Sequence, residues 1–244
     1  MKHAVIVGAT SGMGREVALI LVKEGWHVGI AGRREDILMQ MRDQYPQSIE
    51  YEVIDITRED APIRLQNLIG KLGGMDLYLH SSVYGRINPD LDPTIEKEVV
   101  RTNINGFVAM TIHAFHYFKE QNGGHLAAIT SVAGRRGMGL NAAYSSSKRF
   151  QMTYLTSLAQ LSHNGKYNIR ITDIQPGFVK TDFLHHSYPM VMKTPYVARK
   201  IVRGLSKGKR LIIVDWRYRI VSYAWHMIPS RIWERMNLQR FVSW

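Results

Sequence analysis

The run Ala4-Val5-Ile6-Val7 leads without a break into Gly8-Ala9-Thr10-Ser11-Gly12-Met13-Gly14. Beyond it, Arg15 to Glu24 carries Val17, Ala18, Ile20, Leu21 and Val22 at helical spacing. A short apolar run reads as a buried strand, and apolar residues recurring every three to four positions read as a helix. Strand, glycine-rich turn and helix in that order form a cradle for a dinucleotide pyrophosphate. Glycines let the backbone approach phosphate oxygens, and the helix N-terminus offers unpaired N–H groups and the positive end of a dipole. The spacing here is G-x-x-x-G-x-G, not G-x-G-x-x-G, so the strand and helix on either side carry the reading.

The same alternation continues along the chain. His27 to Ala31 is a second strand, ending at Gly32-Arg33-Arg34. An acid that binds a ribose 2′-OH is expected about 20 residues past the glycines. Two arginines stand there instead, and they suit the 2′-phosphate of NADP. NADP(H) is therefore the expected cofactor and NAD(H) the second option. A helix from Glu35 to Tyr45 stops at Pro46. A strand from Ile49 to Ile54 ends at Asp55-Ile56, and a helix runs from Asp60 to Leu72. Leu77-Tyr78-Leu79 is a fourth strand, ending at His80-Ser81-Ser82-Val83. Two helical stretches between Pro93 and Lys119 contain Asn103 and Gly106. The fifth strand ends at Thr130, a helix spans Ala143 to Ser162, and the sixth strand, Ile169 to Ile174, precedes Pro176-Gly177. A helix from Thr194 to about Ser206 and a seventh strand, Leu211 to Val214, follow. Strands alternating with helices imply a doubly wound α/β fold of Rossmann type, a seven-stranded parallel sheet with helices on both faces. No repeat or linker divides it, so residues 1–244 are read as one domain with an extension at 215–244. Gly8, Arg33, Asp55, Ser81, Ser131 and Pro176 all follow strand ends, where ligands bind in such sheets.

The stretch from Ser131 to Lys148 follows the fifth strand and closes on Tyr144 and Lys148, four residues apart and hence on one helix face. A cation held near a phenol favours the phenolate and brings its pKa towards neutrality, which makes Tyr144 a candidate proton donor and acceptor.

Taken in order, Gly8-x-x-x-Gly12-x-Gly14, Asp55, Asn103, Ser131, Tyr144-x-x-x-Lys148, and Pro176-Gly177 with Thr181 resemble the short-chain dehydrogenase/reductases, in their compact oxidoreductase branch. The Ser131-to-Tyr144 offset of 13 is also the family's. The resemblance covers essentially the whole chain and implies hydride transfer between NADPH and a ketone or secondary alcohol. Tyr144 would move the proton at the carbonyl oxygen. Lys148 would lower the Tyr144 pKa and bind the nicotinamide ribose. Ser131 would hydrogen-bond the carbonyl oxygen, and Asn103 would hold a water that joins Lys148 to solvent. The resemblance also implies cofactor contacts at Gly8, Thr10, Ser11, Gly12, Met13 and Gly14, at Arg33 with Arg34, at Asp55 and Ile56, at Ser81, and at Pro176, Gly177, Val179 and Thr181, besides Tyr144 and Lys148. Two segments depart from the family. Val7 replaces the usual Thr, and His80-Ser81-Ser82-Val83 replaces Asn-Asn-Ala-Gly, which bears on the fit of the cofactor's adenosine end. The alternative reading is a non-catalytic nucleotide-sensing or membrane-surface protein that keeps the fold.

The chain has no cysteine, which excludes disulfides, thiolate metal sites and a cysteine nucleophile. No apolar run reaches membrane-spanning length. No signal peptide is read at Met1-Lys2-His3, and the expected location is the cytoplasm. The resemblance implies that Phe183 to Lys193 is a substrate lid; its His185, His186, Tyr188, Met190 and Met192 suit a hydrophobic substrate or a lid packed on its own protein, and no metal site is expected. Charge is uneven: Arg199 to Trp244 holds eleven Lys and Arg against Asp215 and Glu234, a net +9 of the chain's +12. That tail also carries Trp216, Trp225, Trp233 and Trp244 with Tyr218, Tyr223 and Phe241. Pro229-Ser230 divides it into two helices, with Ser230 as the expected N-cap. A cap over the pocket or a subunit contact in a homodimer or homotetramer is the favoured reading. Peripheral membrane contact comes second, and nucleic acid, supported only by net charge, comes last.

Overall fold

Seven strands pair in parallel in the order β3-β2-β1-β4-β5-β6-β9, from β1 (His3–Val7), β2 (His27–Gly32), β3 (Ile49–Val53), β4 (Leu77–His80), β5 (Gly124–Ile129) and β6 (Ile169–Gln175) to β9 (Leu211–Ile213). The computed structural model describes residues 2–181, 188 and 190–237. Ala4 to Val7 are all fully buried, which is why β1 reads as an unbroken apolar run: a parallel strand is covered on both faces.

Two apolar layers sandwich the sheet. On one face Ala4, Ile6 and Val28 meet Val17 and Leu21 of α1 (Gly12–Lys23), Leu38 of α2 (Glu35–Gln44) and Ile201 of α7 (Thr194–Ser206). On the other, Val5, Val7 and Tyr78 meet Leu65 of α3 (Ala61–Leu72), Phe107 and Phe115 of α5 (Phe107–Glu120) and Leu155 of α6 (Ala142–Asn164). From β1 the chain moves outward to β2 and β3, then returns to place β4 on the other side of β1. The C-terminal ends of β1 and β4 therefore frame the crevice where the strand order reverses.

Three features differ from the sequence-based expectation. First, residues 93–120 form one continuous helical stretch, α4 (Pro93–Val100), a π-helical turn (Arg101–Gly106) and α5. The wider turn carries the buried Thr102 and Asn103, and such turns recur at functional sites. Second, a short parallel pair, β7 (Val179–Lys180) with β8 (Met192–Lys193), ties the chain after Pro176-Gly177 to the start of α7. Third, the tail forms α8 (Trp216–Met227) and a single turn, α9 (Ser230–Trp233). Pro229 occupies the N-cap position and Ser230 caps nothing; its hydroxyl accepts from Arg136 instead. Asp215 caps α8, accepting from the Arg217 N–H at 3.0 Å.

Candidate active site

The glycine turn is locked against the end of β4. Gly8 has φ +91°, and a Cβ on it would lie 2.5 Å from the Ser82 nitrogen; one on Gly14 would lie 2.3 Å from the Gly8 carbonyl oxygen. Only glycine fits either place. The Gly8 and Ala9 N–H groups both donate to the Ala31 carbonyl, and the Ser81 N–H donates to that of Val7 at 2.7 Å. Ser11 stands at the N-cap of α1, but its side chain caps nothing, so first-turn N–H groups face outward. They open on a cleft of about 250 Å³ lined by Thr10, Ser11, Gly12, Arg15, Arg34 and Thr181. Met13 turns the other way, onto the core.

The two arginines divide their positions. Arg34 donates through Nε and Nη to the Thr10 hydroxyl, at 3.2 and 2.9 Å, and lines the cleft. Arg33 is exposed, and its charge acts on Asp55. Burial works to raise the Asp55 carboxyl, but hydrogen bonds from the Thr57 N–H and hydroxyl and the charges of Arg33 and Arg101 outweigh it, leaving the pKa below the ordinary value. Ile56 is buried beside it. Across the cleft Thr181 lies within reach of Gly12, Val179 is buried in β7, and the Pro176 carbonyl accepts from the Val132 N–H.

The candidate catalytic residues converge next to this cradle. Ser131 lies two residues past β5 and caps a 3₁₀ turn, with its hydroxyl accepting from the Ala133 N–H at 3.1 Å. It also hydrogen-bonds the Tyr144 hydroxyl from the first turn of α6. Lys148, one turn on, is fully buried; its Nζ donates to the Ile129 carbonyl at 3.1 Å and to Gln151 Oε1 at 2.9 Å, and lies 5.8 Å from the centre of the Tyr144 ring.

The electrostatics correct one expectation. Lys148 does not bring Tyr144 towards neutrality here. Burial pushes the Tyr144 hydroxyl up to about 12, against the hydrogen bond to Ser131. Burial also brings the Lys148 ammonium down to about 7, with the Asp173 charge opposing. Both groups pay for lost hydration, and the ammonium spends its hydrogen bonds on Ile129 and Gln151.

Asn103 is held through both its side chain and its backbone. Its side chain is fastened to the Tyr84 backbone, accepting from the N–H at 2.9 Å and donating to the carbonyl at 2.7 Å, and it donates to the Ser147 hydroxyl at 3.1 Å. Its own carbonyl accepts from Gln151 Nε2 at 2.8 Å. The fully buried Gln151 amide thus joins Lys148 to the Asn103 carbonyl and fixes both neighbours.

His80, in the departing segment, is buried. Its Nδ1 pairs with the Tyr78 hydroxyl at 2.9 Å, and its ring meets Phe107 edge-on. Burial first, then the Lys148 charge, lowers it to about 3, so it is a neutral structural group. Val83 is part-exposed and not forced into a glycine conformation.

The tail closes over the loop between Ser131 and Tyr144. Arg136 donates to the carbonyls of Trp225 (2.9 Å) and Ile228 and to the Ser230 hydroxyl, and lies over the Trp233 ring. The Trp233 indole N–H returns a bond to the Gly137 carbonyl at 2.8 Å. Tyr218 packs on Gly177 and donates to the Met190 carbonyl at 3.0 Å. The tail is thus an intramolecular cap on the loop between Ser131 and Tyr144. His185, His186, Phe241 and Trp244 lie outside the described residues. Sequence reasoning missed Gln151, Tyr84 and Arg136; apart from the Lys148–Gln151 bond, their hydrogen-bond partners are 19 to 94 residues away, and no local pattern marks them.

A glycine cradle at a strand-order switch, with Ser131 just past β5 and Tyr144 and Lys148 in the first turns of α6, is the arrangement of a nucleotide-dependent oxidoreductase site. The family profile described as short chain dehydrogenase matches residues 2–191. An uncharacterized oxidoreductase of Myxococcus xanthus is 31% identical over 243 residues, covering 96% of this chain and 95% of that protein. A Dictyostelium discoideum protein named as dehydrogenase/reductase SDR family protein 7-like is 26% identical, covering 95% of this chain and 79% of its own. Among solved structures, an actinorhodin polyketide ketoreductase with NADPH superposes with TM-score 0.75 at 21% identity, covering 87% of this chain and 95% of its own. The protein ElxO with NADP bound gives 0.75 at 20%, covering 89% and 98%. The chain belongs to the short-chain dehydrogenase/reductase family.

Proposed function

We propose that the protein transfers hydride between NADP(H) and a ketone or secondary alcohol, with a hydrophobic substrate. The observation that carries this is the convergence of Ser131, Tyr144 and Lys148 beside a glycine cradle that admits no side chain and has Arg34 at its mouth. The cradle fits a dinucleotide: backbone N–H groups of Gly12 to Gly14 would hold the pyrophosphate, Arg34 with Arg33 the 2′-phosphate, Asp55 and Ile56 the adenine, and Val179 and Thr181 the carboxamide end. Ser81, Pro176 and Gly177 would shape its walls. The cofactor supplies the hydride.

The chain's own residues handle the proton. Tyr144, neutral at working pH, donates to the substrate oxygen, while Ser131 hydrogen-bonds the same oxygen. An anion lodged near Lys148 favours its ammonium form, and the charged ammonium in turn stabilises the phenolate left behind. Asn103 and Gln151 hold Lys148 in reach. NADH is the weaker ligand in this reading, since it offers Arg34 no phosphate. One domain, a cytoplasmic location and a homodimer or homotetramer belong to the same reading and rest on the family resemblance.

The test is to measure NADPH and NADH binding by tryptophan fluorescence, and turnover on a panel of ketones. Tyr144→Phe is expected to remove turnover and leave NADPH binding nearly unchanged; Arg34→Ala is expected to weaken NADPH about tenfold or more, the scale of a lost charge-assisted pair, and NADH little. No response to either nucleotide would end the proposal.

A further inference from the structure

Helix α8 is apolar on two sides. Its inner side is accounted for: Tyr218 packs on Gly177, Ser222 is buried and Trp225 meets Trp233 edge-on. Its outer side carries Trp216, Ile220, Tyr223 and Met227, which are 69%, 58%, 54% and 83% exposed among the described residues. These sit at i, i+4, i+7 and i+11, so they form one stripe along three turns of helix. Four large apolar side chains aligned outward are not scattered surface residues; contiguous exposed patches of this kind mark contact sites.

The edges of the stripe and the chain beyond it are basic. Arg217 and Arg219 flank it on the helix, Arg217 paired with Asp215. Past the helix, Arg231 and Arg235 are exposed, with Ile232 and Met236 exposed between and beside them. From Asp215 onward the chain holds Arg217, Arg219, Arg231, Arg235 and Arg240 against Asp215 and Glu234, a net +3. A second copy of the chain is a poor occupant, because a symmetric contact would set this basic rim against itself. A surface that is both anionic and able to take apolar side chains matches it.

We propose that the outer face of α8 docks on an anionic membrane surface, lying in the interface with Trp216, Ile220, Tyr223 and Met227 inserted and the arginines on lipid phosphates. Tryptophan and tyrosine are suited to that depth, where one end is apolar and the other wet, and guanidinium pairs with phosphate through two donors. No helix among the described residues is long and apolar enough to cross a membrane, so the contact is peripheral. Because α8 also holds the Pro176-Gly177 turn and the catalytic loop, docking sets that side of the molecule against the lipid. The proposal concerns the surface alone and is independent of which substrate is turned over.

The experiment is co-sedimentation of the full chain with phosphatidylcholine vesicles, with and without phosphatidylserine, at low and high salt. The expected result is binding about tenfold or more tighter to the anionic vesicles, weakened by salt. Ile220→Glu and, separately, Met227→Glu are expected to lose most of that binding while keeping the wild-type melting temperature; two variants guard against one that fails to fold. Trp216 fluorescence, isolated by its loss in Trp216→Phe, is expected to shift blue on binding. Equal affinity for neutral and anionic vesicles, wild-type binding by both glutamate variants, or a drop in oligomer size on Ile220→Glu without loss of vesicle binding would each overturn the proposal.

Discussion

Replacing Gln151 with leucine removes an amide of similar size and leaves two consequences that can be read separately. The Lys148 ammonium loses its bond to Gln151 Oε1 at 2.9 Å and keeps that to the Ile129 carbonyl; the Asn103 carbonyl loses its donor at 2.8 Å. A hydrogen bond from a charged donor contributes about 1.5–3 kcal/mol, against about 0.5–1.5 for a neutral one. The charged form of Lys148 therefore loses roughly 1.4 kcal/mol more than the neutral form, which is about one pKa unit. Lys148 should fall from about 7 by about that much. The orphaned carbonyl should cost a further ~1–3 kcal/mol, lowering the melting temperature by roughly 5 °C in a chain of this size. Gln151→Glu puts a carboxylate at the same reach and must move Lys148 the other way. The assay is a pH titration of protein labelled with ¹³C at lysine Cε, with the Lys148 signal assigned through Lys148→Met. A Lys148 midpoint unmoved in Gln151→Leu, or shifted in the same direction by both variants, would refute the reasoning.

Two further outcomes follow from the geometry. Folding lowers Lys148 from its ordinary 10.5 to about 7. Between those values the unfolded chain holds a proton that the folded chain has lost, so stability rises with pH there; urea unfolding from about pH 7 to 9.5, below the range where Tyr144 enters, should show a steeper rise in wild type than in Lys148→Met. Arg136→Ala strips donors from the Trp225 and Ile228 carbonyls and the partner from the Trp233 ring; it should cost about 2–3 kcal/mol and make the chain after Asp215 more sensitive to limited proteolysis, with the sheet core still protected.

What could be seen in advance depended on whether a residue's partner was local. The glycine turn was legible because its neighbours in sequence, β1 and α1, are also its neighbours in space. Tyr144 and Lys148 were legible because a helix sets i and i+4 side by side. The state of Lys148 was not, because it depends on burial and on Gln151. A glutamine three residues further along a helix reads as an ordinary surface residue until the turn bearing Asn103, 48 residues earlier, comes to rest on it. That turn is π-helical, and nothing in Arg101 to Gly106 distinguishes it from the α-helix on either side. The pair Arg33-Arg34 marks the loop after β2, while the backbone alone decides which of the two meets Thr10 and which sits by Asp55. The role of the tail as an intramolecular cap was a matter of tertiary contact throughout.

That cap has a consequence for how the protein is made. The loop carrying Arg136 and Gly137 is finished by groups 89 to 96 residues further along the chain. At about 5–20 residues per second on a ribosome, those groups arrive roughly 5–20 s after the loop does. The residues lining the nucleotide cleft, Thr10 to Ile37 with Lys180, Thr181 and Thr194, have all been made before then. A nascent chain thus passes through a period in which every residue of the cleft is present and the loop between Ser131 and Tyr144 lacks its cap. Cofactor available during that interval would act as a template for the remainder of translation.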